Sequence, residues 1–286
     1  MRAETIASYP IAGALGAEVS GIDLTRPLSN PETEAIRQAL WNHKVIFFRS
    51  QSLSPKDLLR VAGIFGGIYR VPFVTARDDF PDIIDIVKEA EDVNKYNFGG
   101  VWHSDATFEA CPPMGSVLYC LESPPHGGDT LFVNMEAAYA ALSDVIKTKL
   151  DGMVALHSAE RNYGSGGYFT DDEQQGVSMS IEPSAEGDKL MEHPVVRTHP
   201  ETCNKGLFIN PIYTMRFKGM TTQESQPILN FLYNHAVRPE FQCRFGWTTG
   251  ALAIWDNRCT MHFAINDYAG YRRHMNRVTI AGDRPR

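Results

Sequence analysis

The chain has 286 residues, 43% of them hydrophobic and 21% charged, with a formal net charge of −7 at neutral pH. This is ordinary globular composition, on a chain long enough to bury a large core. The acidic balance and the lack of any lysine or arginine run argue against nucleic acid or an anionic membrane surface as a partner, and no apolar stretch approaches the ~18 residues of a membrane span.

The first residues, "MRAETIASYPIAGALGAEV", include Glu4 and no long apolar run, so no signal peptide is read there. "LSNPETEAIRQALWNH" predicts a helix capped at Ser29 or Asn30, with Pro31 in its first turn and Ile36, Leu40 and Trp41 on one stripe. "KVIFFRS" reads as a strand. "SPKDLLRVAGIFGG" predicts a second helix, with Ser54 and Asp57 spaced as a capping box and a stop at Gly66-Gly67. "DIIDIVKEA" reads as another strand.

From Trp102 onward short β-type runs alternate with Pro and Gly: "GSVLYCL", "DTLFVNM", "GLFINPIY", "ALAIWDN" and "NRVTIAGD". Helical patterns interrupt at "EAAYAALSDVIKTKL" and "TTQESQPILNFLYNHAV", where Pro227 predicts a later start or a kink. The expected fold is mainly β with helices, an antiparallel sandwich or barrel decorated by helices, in one domain over 1–286. Residues 161–192 are polar and Gly-rich, the pattern of a long loop that serves as an active-site lid or insert. Cys111, Cys120, Cys203, Cys243 and Cys259 are odd in number and scattered, as expected of reduced thiols in a cytoplasmic protein.

The stretch "WHSDATF" carries the first chemical signal. In a strand, residues i and i+2 share a face, so His103 and Asp105 would stand side by side with Ser104 turned away. Alone, such a pair is more often a hydrogen-bonded histidine. Of the nine histidines, His43, His157, His193, His199, His235 and His274 lie near helix ends or strand borders and read as structural; His126 sits in the turn "SPPHGGD". His262 differs, because Arg273 follows eleven residues later and Arg277 four beyond that. The arginines fit either a solvated basic face or anion clamps beside a metal. Two neutral imidazoles and one carboxylate form the set that holds non-haem Fe(II) with positions left open. An anionic cosubstrate is then held better by arginine's planar fork than by lysine.

Taken together, "GAEVSGIDLTRPLS", "VWHSDATFEACPP", "SPPHGGDTLFVNM", "HPVVRTHP", "WDNRCTMH" and "YRRHMNRVTIAGDRP" resemble, nearly end to end, the taurine/2,4-dichlorophenoxyacetate dioxygenase (TauD/TfdA) family. The resemblance implies a double-stranded β-helix (jelly roll) core decorated by α-helices. It implies Fe(II) as cofactor, with 2-oxoglutarate and O2 as cosubstrates. His103, Asp105 and His262 would be the iron ligands, and Thr130 and Arg273 would hold the distal carboxylate of 2-oxoglutarate. Arg277 would lie near the chelating carboxylate and also meet an anionic group of the substrate. Oxidative decarboxylation to succinate and CO2 would drive substrate hydroxylation. An acid at Asp105 favours that outcome over halogenation, in which the position is vacated for chloride. The same resemblance suggests a homo-oligomer, either dimer or tetramer.

Taurine-binding members carry a histidine, a tyrosine and an asparagine where Val71, Val74 and Gly99 align here. Arg70 lies one residue away, and reads equally as a replacement for the lost charge or as a surface arginine. "LHSAERNYGS", "KGLFINPIYTMRFKGMT" and "CTMHFAINDYAGY" look closest to aryloxyalkanoate (phenoxypropionate-type) members. The expected substrate is therefore a small anionic molecule, a carboxylate with an aromatic or bulky tail. Phe73, Tyr163 and Tyr213 would wall its pocket, with Val71 and Gly99 nearby. The alternative within the family is a sulfonate or alkyl-sulfate dioxygenase. Outside it stand a zinc hydrolase on the same three ligands, which gives Thr130 and Arg273 no role, and a non-catalytic metal-binding barrel.

Overall fold

The computed structural model describes residues 6–92, 98–170 and 179–286. In chain order its elements begin with β1 (Ala7–Pro10), β2 (Ala17–Ser20), α1 (Asn30–His43), β3 (Val45–Phe48), α2 (Pro55–Ala62), β4 (Ile84–Lys88) and β5 (Gly115–Glu122). There follow β6 (Thr130–Asn134), α3 (Met135–Ala140), α4 (Asp144–Leu150), β7 (Val154–His157), α5 (Glu160–Tyr163), β8 (Met191–Pro194), β9 (Val196–Thr198) and β10 (Lys205–Leu207). The last are β11 (Thr214–Phe217), α6 (Thr222–Ala236), β12 (Gln242–Phe245), β13 (Leu252–Asp256), β14 (Thr260–Ala264) and β15 (Arg273–Ile280).

One sheet has seven strands in the order β1-β2-β3-β13-β5-β15-β4, antiparallel except at β2–β3. Facing it is a three-stranded sheet, β12-β6-β14; β11-β7-β8 and β10-β9 form smaller sheets. The chain passes between the two facing sheets from β5 to β6, from β12 to β13, from β13 to β14 and from β14 to β15.

Period-two alternation explains how both faces are filled. Phe47, Leu118, Trp255 and Met275 point inward and meet Phe132, Cys243 and Phe245 of the smaller sheet. Phe47 stacks on Phe245 with centroids 3.9 Å apart. Their neighbours Ile46, Val117, Tyr119, Ile254 and Val278 point outward and bury Ile36 and Leu40 of α1 and Leu58 and Val61 of α2. Behind the smaller sheet, Val133 and Met261 pack on Leu229 and Leu232 of α6. α1, α2 and α6 each begin with a complete capping box, Ser29/Glu32, Ser54/Asp57 and Thr221/Glu224. Each such cap contributes about 1 kcal/mol by satisfying end donors.

Several expectations are corrected. α2 stops at Ala62, not at Gly66-Gly67, because tight turns from Ile64 N to Val61 O and Phe65 N to Ala62 O replace the last helical bonds. The helix expected over 136–150 is two helices; Ser143 accepts from Ile146 N and caps the second. α6 runs through Pro227 without starting later, since the proline sits in its second turn and strands only the solvent-exposed Gln223 carbonyl. "GLFINPIY" is strand only as far as Leu207. "WHSDATF" is not a strand either: His103 makes an isolated bridge to His262, and a turn starts at Asp105 with Ala106 at φ 42°.

The expected lid, 161–192, contains the end of α5, two short 3-10 turns and the start of β8; its residues 171–178 lie outside the described residues. Among the described residues no helix is long and apolar enough to cross a membrane. All five cysteines are free thiols.

Candidate active site

His262 belongs to β14, whose inward positions Thr260, His262 and Ala264 face the seven-stranded sheet. The bridge to His103 is closed by two backbone hydrogen bonds, His103 N to His262 O at 3.1 Å and His262 N to His103 O at 2.8 Å. The two imidazole centroids are 4.1 Å apart. Asp105 reaches the same point from its turn: Oδ1 lies 3.7 Å from Nε2 of both His103 and His262. The three side chains are buried, and one ligand atom from each lies within 4.8 Å of the others. The backbone carbonyl of Val101 accepts from His103 Nδ1 at 2.7 Å. A carbonyl cannot donate, so Nδ1 carries the proton and Nε2 keeps its lone pair.

The electrostatics keep the set in its metal-binding form. Burial pushes both imidazoles down, His262 furthest, and His103 beside His262 adds to this. Burial alone would raise the Asp105 carboxyl, but the Arg277 guanidinium beside it holds it well below the usual carboxylate range. Neutral imidazoles and an ionised carboxylate are what a hard or borderline divalent cation requires. The donor set and open geometry therefore fit Fe(II).

Arg277 stands on β15 with its Nη2 2.7 Å from Asp105 Oδ2 and 3.0 Å from Ser116 Oγ. It is thus tied to the candidate metal carboxylate, and it also lines the cavity described below. Arg273, on the same face of β15, is buried with its Nε unpartnered and makes no ion pair among the described residues. Its guanidinium lies 5.8 Å from the Trp247 ring, and Trp247 Nε1 donates to Thr130 Oγ1 at 2.9 Å. Trp247 therefore joins Thr130 and Arg273 in one buried, cationic corner with a hydroxyl proton to spare.

A cavity of about 430 Å³ opens beside His103 and Asp105. That is the size of a small-molecule site. Val71, Gly99, Tyr163 and Tyr213 line it, and Gly99 holds φ 82°, a left-handed conformation that favours glycine. Burial pushes the Tyr163 hydroxyl up to about 12 and the Tyr213 hydroxyl well above its ordinary value. Phe73 is one layer back: it stacks on Tyr163 at 5.4 Å, and Tyr163 stacks in turn on Phe169 at 5.4 Å. Val74 is buried in a bridge to Ile181, away from the cavity. Arg70 is the surface arginine of the two readings, two-thirds exposed and paired to Asp82 at 2.7 Å.

Phe108, Phe169, Ile212 and Arg161 line the cavity without having been singled out in the sequence. Arg161 ties the wall together by donating to the Pro211 carbonyl at 2.8 Å. Asn257 and Ser116, which contact Asp105, were likewise not singled out. The histidines read as structural all have such partners, including His157 on Thr107, His193 on the Glu109 carbonyl and His199 on Asp256. His199, Asp256 and Cys259 form a second group with metal-type atoms. There, however, Asp256 is already committed to Arg258, and His199 Nδ1 accepts from two backbone amides.

Comparison with known proteins agrees with this geometry. Residues 7–279 match the family described as "Taurine catabolism dioxygenase TauD, TfdA family". An alkylsulfatase of Acinetobacter baylyi is 36% identical over 274 residues, covering 96% of this chain and 84% of the relative. An alpha-ketoglutarate-dependent sulfate ester dioxygenase of Pseudomonas putida is 34% identical over 278 residues, covering 97% of this chain and 90% of the relative. The crystal structure of a taurine dioxygenase from Burkholderia xenovorans superposes with a TM-score of 0.81 at 33% identity, covering 98% of this chain and 90% of that one. The chain belongs to the TauD/TfdA family and is an oxidoreductase, an Fe(II)-dependent dioxygenase that uses 2-oxoglutarate and O2.

Proposed function

We propose that the protein is a sulfate-ester dioxygenase acting on alkyl sulfates with an apolar tail. The observation that carries this reading is the aromatic-lined cavity beside His103 and Asp105, whose wall includes the cationic side chains of Arg277 and Arg161. The similarity to two sulfate-ester enzymes supports it over a carboxylate substrate. In this reading His103, Asp105 and His262 hold the iron, and Thr130 and Arg273 take the distal carboxylate of 2-oxoglutarate. The chain is read as one domain on a double-stranded β-helix, for which the repeated crossing between the facing sheets is the support.

When bound, Fe(II) and 2-oxoglutarate together supply the oxidising power, with O2 oxidising both cosubstrate and substrate. The residues of the chain bind, orient and exclude water. Phe108, Tyr163, Phe169 and Ile212 take the tail out of solvent, and the hydroxyls of Tyr163 and Tyr213, which line the same cavity, offer donors to the anionic head. Hydroxylation of the carbon that bears the sulfate gives an unstable hemiacetal ester. That ester collapses to an aldehyde and inorganic sulfate, while 2-oxoglutarate leaves as succinate and CO2. A second reading, an aryloxyalkanoate substrate releasing a phenol, is favoured by the flat aromatic walls at Phe108 and Tyr213.

The test is succinate formation by the anaerobically loaded Fe(II) protein on admitting air. The panel holds alkyl sulfates of increasing length, taurine, both phenoxypropionate enantiomers and a long-chain carboxylate, with His262→Ala as control. Sulfate release equal to succinate, with an alkyl sulfate only, is the expected result. Phenol release with a phenoxypropionate selects the second reading, and taurine turnover refutes both.

A further inference from the structure

The Asp105 carboxylate is surrounded asymmetrically. Its Oδ2 accepts from Arg277 Nη2 at 2.7 Å, from Asn257 Nδ2 at 2.9 Å and from Ser116 Oγ at 3.1 Å. Its Oδ1 meets no hydrogen-bond donor among the described residues and faces the two imidazole nitrogens. The three donors come from three separate places: β15, the turn after β13, and β5.

Asn257 is the most tightly specified of the three. Its Oδ1 accepts from Trp255 Nε1 at 2.9 Å and from the Asp105 amide at 3.4 Å. Both are N–H groups that can only donate, so the amide nitrogen must be the atom that faces Asp105. The turn itself is fixed from behind. Asn257 N donates to Met114 O at 2.9 Å. Asp256, fully buried, accepts from Arg258 Nε at 2.9 Å, Arg258 Nη2 at 2.7 Å and His199 Nε2 at 3.0 Å, and Thr260 Oγ1 donates to the Asp256 carbonyl at 2.7 Å. The same turn leads directly into β14 and His262.

We infer that Asn257 is a positioning residue of the metal centre: it occupies Asp105 Oδ2 so that the carboxylate presents one oxygen, Oδ1, to the metal. This rests on the reading of His103, Asp105 and His262 as the metal ligands. A six-coordinate ion held by three protein atoms keeps three positions, two for a chelating keto acid and one for O2. A carboxylate free to turn its second oxygen inward would take one of those three. Arg277 reaches Oδ2 from the cavity side, whereas Asn257 reaches it from the protein interior, where no ligand can displace it. Its role therefore persists when substrate competes for the arginine.

The test is anaerobic titration of the full chain with Mn(II), following free Mn(II) by electron paramagnetic resonance. Infrared difference spectra between metal-bound and metal-free protein are recorded alongside. In Asn257→Ala, Mn(II) affinity is expected to fall 10–100-fold, the size usual for loss of a ligand's supporting partner. The two carboxylate stretching bands, widely split for a one-oxygen ligand, are expected to draw together. A merely structural asparagine would lower the unfolding midpoint without moving either readout. Should Asn257→Ala not fold, Asn257→Leu decides on the same measurements. It fills nearly the same volume and removes the donor to Oδ2 without placing a new charge or a new donor beside Asp105.

A folded variant that binds Mn(II) within twofold of wild type, with unchanged bands, overturns the inference. Wild-type protein that binds no Mn(II), or a His103→Ala protein that binds it equally well, overturns the metal-centre reading instead. The two failures are therefore distinct.

Discussion

Arg273 is a guanidinium sealed inside the protein without an opposing charge, and replacing it should make the empty protein more stable while disabling it. It is only 6% exposed, it makes no ion pair among the described residues, and its Nε has no partner. Burial pushes its pKa down, only partly opposed by Tyr268, Cys120 and Asp129. Replacing a buried, poorly compensated charge by an apolar side chain of similar length is worth about 1–4 kcal/mol. With an unfolding entropy of ~2.1 cal/mol/K per residue, that is a rise of about 2–7 °C in Tm for this chain. The same change removes the fork proposed to hold the distal carboxylate of 2-oxoglutarate. Leaving that carboxylate buried without its partner costs about 2–5 kcal/mol, or roughly 30- to 5,000-fold in affinity. Arg273→Met should therefore melt higher than wild type without ligands. In calorimetric titration with Mn(II) present it should bind 2-oxoglutarate at least ~30-fold more weakly. A variant that melts lower would show that the guanidinium is stabilised in the empty protein. A variant that binds 2-oxoglutarate normally would show that the carboxylate goes elsewhere.

Burial pushes the His157 imidazole far down and pushes His193 down to about 4; both are neutral in the folded state. Unfolded imidazoles take up protons below about 6.5, so the unfolded state binds more protons. The stability of the metal-free protein should accordingly fall as pH drops from 6.5 toward 4. Urea midpoints measured across that range should show the slope, and His193→Gln should flatten part of it; a flat wild-type profile would contradict the burial argument. Phe108→Ala should raise KM for an apolar-tailed substrate about 10- to 100-fold, with a smaller effect on kcat, because the ring lines the cavity against Tyr213 and Phe73. Equal loss in a short-tailed substrate would show that the effect is not contact with the tail. Pro227→Ala should stabilise the protein by about 1 kcal/mol by restoring a donor to the exposed Gln223 carbonyl, as read by thermal unfolding. A lower midpoint would mean that the ring packs usefully or stiffens the unfolded chain.

The local signals were the legible ones. Ser29, Ser54 and Thr221 announce their helices because a capping box is a four-residue event. Sheet order was not legible: β13 pairs with β3 and β5, both distant in sequence, and that choice is made by packing around Trp255 and Phe132. His103 and His262 are 159 residues apart, and only resemblance joined them before their backbone bridge could be seen. His103 and Asp105 do stand side by side, but not by the shared strand face that the sequence argument used: a turn with Ala106 at positive φ brings the carboxylate round. Phe169 hid inside the polar run "GSGGYFT", where an aromatic pair amid glycines was the available signal. Asn257 lies in "WDNRCTMH", one of the stretches that carry the family resemblance, but nothing in the sequence points its amide at Asp105, since a buried asparagine in a turn has many uses.

The division of labour between strands and loops has an evolutionary corollary. His262, Arg273 and Arg277 are set in paired strands, whereas Phe108, Tyr163, Phe169 and Ile212 sit outside any sheet. The three-ring stack of Phe73, Tyr163 and Phe169 packs with Phe108, Ile181 and Ile212 in a small cluster separate from the sheet cores, with Phe73 in a left-handed backbone conformation. Exchange of those rings leaves the ladders untouched, so a lineage can trade one tail preference for another without re-earning its fold or its oxidant. Selectivity in this protein is, in that sense, a replaceable part bolted to a permanent one.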